Sequence, residues 1–465
     1  MYRKCCMAPK NIKNHYEYVI IGGGIVGAGI LRDLSLHKQD VLLIEKEDFS
    51  SQTSGGSSKM LHGGIRYLEN FDFPLVFEAL KEKNIWLDLA SHISEERTFY
   101  LPVFQESKWP LFFTRIGLFI YDLLSLFKNS PYKVLNAKNT TKALPGIRQI
   151  GLKGSALYSD GVIDDSKLVF DLIFDSISRG SQALNYHELT SVQKENNNTY
   201  TLVIKNRKKN EEHKVSTSNL IFALGPFTDQ VMHKLDIPWD DIILPSKGSH
   251  LWLSSDSLEI KDALVIQTKD GRVIFVIPQR NSILVGTTEV ELSKDDNLAN
   301  LKPSQEEIDY LLESVNSYFP SSNIDETHII ASYSAVRPLV RSGASASKTS
   351  RHHKIVEPME NLFVIAGGKY TTFRVMAQDI CKKVLKNNNI SYDSKLSLQP
   401  FKKKSIVFDI NKQNISKELL QRIIKEELVF NKEDFLKRRL SLYSIEQAQN
   451  KSAISSALED IYLEK

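Results

Sequence analysis

Residues 18–45 constrain this chain more than any other segment. An apolar run, Tyr18-Val19-Ile20-Ile21, leads into Gly22-Gly23-Gly24-Ile25-Val26-Gly27. A helix-forming stretch follows, then a second apolar run, Val41-Leu42-Leu43-Ile44, ending on Glu45. Strand, glycine turn, helix and acid-terminated strand in this order make a βαβ unit that grips a dinucleotide. Gly22 permits the turn, Gly24 lets the backbone approach a pyrophosphate, and Gly27 lets helix and strand pack closely. The helix N-terminus offers N–H groups and partial positive charge to phosphates. Glu45 stands where a carboxylate accepts ribose hydroxyls. The unit alone does not separate NAD from FAD. Its place early in the chain and the long Ser- and Gly-rich loop after Glu45 favour FAD, which extends past the first unit.

The 465 residues suggest two or three domains, and 42% hydrophobic with 25% charged residues is ordinary for a globular protein. A net charge of +4 is too small to imply nucleic acid. Cys5, Cys6 and Cys381 supply neither a disulfide framework nor a metal site, which fits a reducing compartment. Residues 1–14 lack the apolar stretch of a secretory leader. No uncharged apolar run reaches the roughly 18 residues of a membrane-spanning helix.

Residues 73–91 have helical periodicity, and Asp164-Asp165-Ser166 opens another helix. Strands are expected over residues 191–205, 214–224 and 247–253, and over 272–289 with a hairpin near Arg280-Asn281-Ser282. Residues 362–366 make one more buried strand, and a helix follows from about Thr372. In the tail, Leu419, Leu420, Ile423, Ile424 and Leu428 share a helical face. Residues 107–132 are aromatic and apolar, with Lys108, Arg115 and Lys128 among them. They read either as a pair of core helices or as a patch dipping into a membrane interface, anchored by Trp109, Phe112 and Phe113. The expected fold class is α/β. It comprises a Rossmann-type FAD-binding domain (residues 15–100, 150–240 and 335–395), an inserted antiparallel-β substrate domain (101–149 and 241–334) and a small helical C-terminal domain (396–465).

Four further motifs coincide: Thr53-Ser54-Gly55-Gly56-Ser57-Ser58-Lys59-Met60-Leu61-His62-Gly63-Gly64-Ile65-Arg66-Tyr67-Leu68-Glu69, Leu244-Pro245-Ser246-Lys247-Gly248-Ser249-His250, Ala335-Val336-Arg337-Pro338-Leu339 and Ala366-Gly367-Gly368-Lys369-Tyr370-Thr371-Thr372-Phe373-Arg374. Together with the βαβ unit they resemble the FAD-dependent, aerobic-type glycerol-3-phosphate dehydrogenases. The resemblance covers about residues 18–374 and returns weakly at 427–439. Gly55-Gly56 departs from the polar residues common there in the family, and residues 342–353 lack the expected acids. The resemblance implies FAD as cofactor and oxidation of sn-glycerol 3-phosphate to dihydroxyacetone phosphate, with hydride passing to flavin N5. It further implies a membrane quinone as acceptor and a peripheral position on the cytoplasmic face of the inner membrane. It leaves a homodimer open. The rival readings are an oxygen-using glycerol-3-phosphate oxidase and an amine or amino-acid oxidase on the same scaffold.

That chemistry asks for cations around a phosphate, and Arg66, Arg337 and Lys369 are the candidates. It asks for a base with a pKa near the working pH, and His62 and His250 are the candidates, with His250 preferred. Arg337 would also help to polarise the reacting hydroxyl, and Tyr67 stands to contact substrate or to pack. Cofactor contacts fall on Gly22, Gly24, Gly27, Glu45, Thr53 and Ser54. They continue with the backbone of Ser57, Ser58, Lys59 and Met60 along the flavin, and Ala223 and Gly225 after the 214–224 strand. Gly367, Gly368, Lys369 and Thr371 then meet the reduced ring's charge at a helix N-terminus.

Overall fold

The computed structural model describes residues 12–341, 353–406, 416–448 and 451–463, without the side chains of Arg66, Glu69, Asn70 and 460–463. Cys5, Cys6 and most of the acid-poor segment after Arg337 (342–352) lie outside the described residues. Two sheets organise the rest. In the first, β1 (His15–Ile21) pairs in parallel with β2 (Val41–Ile44) and with the strand Glu211–Phe222, which pairs in parallel with Leu362–Gly367. Gln182–Leu184 extends the parallel set beyond β2. Strands covered on both faces must be apolar throughout, and every residue of β2 and of Leu362–Gly367 is buried. One face carries α1 (Ile25–Leu36) with the helices Asp165–Ser178 and Phe373–Asn387; Ile30, Leu34, Phe170, Phe174 and Ile380 pack there. The other face packs Leu202, Ile204 and Met232 against Val19, Leu42 and Phe222.

The second sheet has ten strands and is largely antiparallel. Its long strand Ile243–Ser254 pairs with Ile329–Val340 and with Ser282–Gly286. Val273–Gln279 and Ser282–Gly286 form the expected hairpin. Arg280 and Asn281 take φ of 55° and 53°, the left-handed pair that suits a two-residue turn on twisted strands. Met60–Leu61, Ser94–Phe104, Lys133–Asn136 and Leu152–Ile163 also join this sheet. The expected borders at 100/101 and 334/335 therefore fall inside strands of the second sheet. Local hydrophobicity marks a strand but does not say which sheet it enters. The segment 191–205, expected as one run, is two strands, His187–Lys194 and Tyr200–Asn206, joined by a turn with Asn198 at φ 62°.

The aromatic segment corrects one alternative. It is a single surface helix, Leu111–Leu124, not a pair of core helices. Leu118, Tyr121 and Asp122 face inward, while Phe112 (68% exposed), Phe113 (54%), Phe119, Leu123, Leu126 and Phe127 face out.

The C-terminal unit contains the helices Lys417–Glu426 and Lys451–Leu463 and a wide turn at Asp434–Arg439. It packs a core of its own around Leu420, Ile423, Phe435, Leu442 and Ile454. Leu419 and Ile424 border that core, whereas Leu428 joins the core of the first sheet. Arg438 Nε donates to Asp48 Oδ2 at 2.6 Å, and Arg439 donates to both oxygens of the same carboxylate. Ser441 Oγ donates to Asp164, and Tyr443 Oη to the Gly55 carbonyl. Burial opposes a charge on Asp48, but the two guanidinium groups outweigh it and hold the carboxyl below its usual range. Asp48→Ala would leave both arginines buried without their shared counter-ion. Destabilisation of about 3–5 kcal/mol is expected, read as a lowered melting temperature of the flavin-loaded protein.

Candidate active site

The glycine turn is shaped by what glycine lacks. Gly22 holds φ 111°, and a Cβ there would run into the Ala223 carbonyl; one on Gly27 would run into the Gly22 carbonyl. Gly27 thus sits beneath the turn, packing α1 onto β1. At Gly24 a Cβ would meet only the Ser54 Oγ, at 2.9 Å. Ser54 Oγ accepts from the Ile25 N–H at 2.8 Å, so a hydroxyl oxygen occupies the anion-seeking end of α1. Glu45 accepts from the N–H groups of Gly23 and Glu47 at 2.7 and 2.8 Å. Burial raises its pKa, and those two donors restrain the rise.

From Glu45 a cavity of about 540 Å³ runs past Gly22, Gly24, Thr53 and Ser54, then Ser57, Ser58 and Met60. Ala223 and Gly225 line it, as do Gly367, Gly368, Lys369 and Thr371. A ribose acceptor, an open glycine cradle at a helix N-terminus and a wide far end fit FAD in order. Gly55 and Gly56 are small because the loop is tight: a Cβ on Gly55 would strike the Ser50 carbonyl, and one on Gly56 would lie 2.7 Å from Ala335 Cβ.

Lys59, expected along the flavin through its backbone, sends its side chain elsewhere. Its ammonium turns away from the cavity and is buried, donating to Asp165 Oδ1 at 2.5 Å, the Gly55 carbonyl at 2.8 Å and Tyr443 Oη at 3.1 Å. Burial works against its charge, and Asp165 outweighs it, raising the pKa. Ser57 is held by the same carboxylate through its N–H and hydroxyl. Thr53 Oγ1 ties the loop to the Val336 carbonyl at 2.7 Å.

Arg337, Lys369, Tyr67, His62 and His250 all line this cavity. Arg337 Nη2 donates to Thr287 Oγ1 at 2.9 Å and to the Thr288 carbonyl at 3.1 Å. The guanidinium passes over Gly248, where any Cβ would collide with it. Lys369 Nζ stands 3.7 Å from the centre of the Tyr67 ring, a cation–π contact. Two of the three expected cations therefore line one cavity. The Arg66 side chain lies outside the described residues, and its backbone sits beside Tyr67 in the turn Ile65–Asn70.

His250 is buried, with Nε2 2.8 Å from Ser58 Oγ and its ring stacked on Tyr333 at 4.8 Å. Gly286 leaves the space its ring fills. Burial first, then the charges of Arg337 and Lys59, push its pKa well below the usual imidazole value. The sequence reasoning asked for a base near neutrality, and burial and two cations work against that at this ring. His62 is only partly buried at the cavity wall.

Sequence reasoning missed Asp160 and Tyr158 on the strand Leu152–Ile163, both at the cavity wall. Asp160 accepts from the Gly63 N–H at 3.0 Å and from Tyr121 Oη at 3.1 Å. Burial pushes its carboxyl up to about 6, against the Lys83 charge and those donors. The available signal was the strand's single acid, set between Ala156-Leu157-Tyr158 and Val162-Ile163.

Comparison with known proteins agrees with this geometry. The model of the FAD dependent oxidoreductase family matches residues 17–379. A protein of Bacillus subtilis (strain 168) named aerobic glycerol-3-phosphate dehydrogenase is 33% identical over 370 residues, 79% of this chain and 66% of the relative. One of the same name from Staphylococcus aureus (strain USA300) is 34% identical over 388 residues, 82% and 69%. The chain thus spans about two thirds of the length of these relatives. The crystal structure of the glycerol-3-phosphate dehydrogenase from Bacillus halodurans complexed with FAD superposes with a TM-score of 0.68 and 26% identity, covering 83% of this chain and 67% of that one. This chain belongs to the FAD-dependent oxidoreductase family, and its cofactor is FAD. Within that family it stands with the aerobic glycerol-3-phosphate dehydrogenases.

Gly24→Val places branched methyl groups in the cradle while touching only a serine hydroxyl. The variant is expected to keep its circular dichroism and to lose most of its bound flavin, read as visible absorbance per protein.

Proposed function

We propose that the chain oxidises sn-glycerol 3-phosphate to dihydroxyacetone phosphate. The observation that carries this reading is that Arg337 and Lys369 line the same cavity as Ser57, Met60 and the Gly367-Gly368 turn. A near-dianionic phosphate in a partly enclosed cavity needs such counter-charges. Arg337 is pre-aimed by Thr287 and Thr288, so its fork meets phosphate oxygens with little ordering cost. Lys369 adds a point charge held over Tyr67. FAD, when bound, would supply two-electron acceptance for a hydride from substrate C2. The C2 hydroxyl proton then needs an acceptor. His62 suits this role better than His250, whose ring is buried, stacked and hydrogen-bonded to Ser58.

The electrons leave, in this reading, to a membrane quinone, with the protein peripheral to the cytoplasmic face of the inner membrane. The outward phenylalanines of Leu111–Leu124, with Trp109 and exposed Lys108, Arg115 and Lys128 around them, support it: the rings suit acyl chains and the cations suit anionic headgroups. Among the described residues no helix is long and apolar enough to cross a membrane.

Three outcomes are expected. Anaerobic glycerol 3-phosphate bleaches the flavin band, whereas glycerol and amino acids do not; an unchanged spectrum would end the assignment. His62→Asn slows that bleaching by roughly 10²–10⁴-fold in stopped flow, and His250→Asn slows it far less. Wild type floats with anionic liposomes, and a variant with Trp109, Phe112 and Phe113 changed to Ser stays at the bottom of the gradient.

A further inference from the structure

Tyr121 and Asp160 have no part in the chemistry just described, yet they join the apolar surface helix to the substrate end of the cavity. We infer that they are positioning residues: through Tyr121, Asp160 and Gly63, the seating of the helix Leu111–Leu124 on a bilayer sets the placement of residues 62–67. The inference rests on the membrane reading above.

Tyr121 lies on the inner side of the helix whose outer side carries Phe112, Phe113 and Phe119. Its hydroxyl donates to Asp160 Oδ2 at 3.1 Å, and its ring meets Tyr158 edge-on at 5.9 Å. Asp160 Oδ1 accepts from the Gly63 N–H at 3.0 Å. Gly63 has no slack, because a Cβ there would strike both Tyr121 Oη and Leu80 Cδ2. A shift of the helix therefore reaches Gly63 by contact as well as by hydrogen bond.

Gly63 is flanked by residues that the proposed reaction uses. His62 precedes it. Gly64, at φ 76°, opens the turn that carries Tyr67 beneath Lys369. The buried Lys83 favours the ionised form of Asp160, and its Nζ donates to Asn129 Oδ1 at 2.6 Å, just beyond the same helix. A carboxylate buried at the cavity wall is costly unless its acceptors are used, and here both oxygens are used to hold backbone and helix together.

The test is hydrogen exchange on the flavin-loaded full chain, with and without phosphatidylglycerol vesicles, following the peptide that contains residues 62–67. Wild type is expected to gain several-fold protection there when vesicles are added. Tyr121→Phe keeps the ring packing and should float like wild type, but should gain no protection in that peptide. Asp160→Asn should behave as Tyr121→Phe does, and in steady state both should raise KM for glycerol 3-phosphate more than they lower kcat. Equal protection in wild type and Tyr121→Phe, or no vesicle-dependent protection in wild type, would overturn the inference. Flavin bleaching by glycerol 3-phosphate is scored separately. Its failure would end the substrate assignment and leave the exchange comparison standing.

Discussion

The buried ion pair between Lys59 and Asp165 is the constraint on which the cavity depends. Asp165 opens the helix Asp165–Ser178 on the first sheet, and Lys59 adjoins Met60–Leu61 on the second. Their 2.5 Å contact fixes the flavin loop between the two sheets. The same carboxylate holds Ser57, the Asp165 carbonyl accepts from Tyr370, and Lys59 holds the Gly55 carbonyl and Tyr443. Such a pair adds little net stability by itself. Its value is register: it decides where Ser57, Ser58 and Met60 stand relative to the Gly367-Gly368 turn.

Around that fixed loop the site is carved largely by missing side chains. Gly248 and Gly286 lie on adjacent antiparallel strands, and each leaves room for a working side chain, Arg337 and His250 respectively. Arg337 arrives on Ile329–Val340, paired across Ile243–Ser254 with Ser246 opposite it. Arg337 and His250 are therefore held on regular sheet, whose ladders resist small shifts, while His62, Tyr67 and Lys369 stand on loops and turns.

The parts of the fold legible in the sequence were those set by local chemistry. The βαβ unit, the Asp164-capped helix, the Arg280-Asn281 hairpin and the apolar strand Leu362–Gly367 follow from turn residues and periodicity. What escaped is what depends on distant neighbours. The ion pair of the Lys59 side chain was not legible, because only the fold brings Asp165 to it. Asp160 was invisible as a site residue because its partners, Gly63 and Tyr121, lie 97 and 39 positions away. His250 read as a base because spacing says nothing about desolvation. The aromatic helix was ambiguous because one apolar stripe serves a core or an interface equally well.

The contacts of the C-terminal unit carry a consequence for assembly. Arg439 grips Asp48 across 391 positions, while Arg280 of the second-sheet hairpin reaches the Ser441 carbonyl and Asn281 the Gln447 carbonyl. Its docking platform is formed by both sheets together, so its seating depends on the two being in register. Through Tyr443, which donates to the Gly55 carbonyl, that seating also reaches the loop beside the cavity.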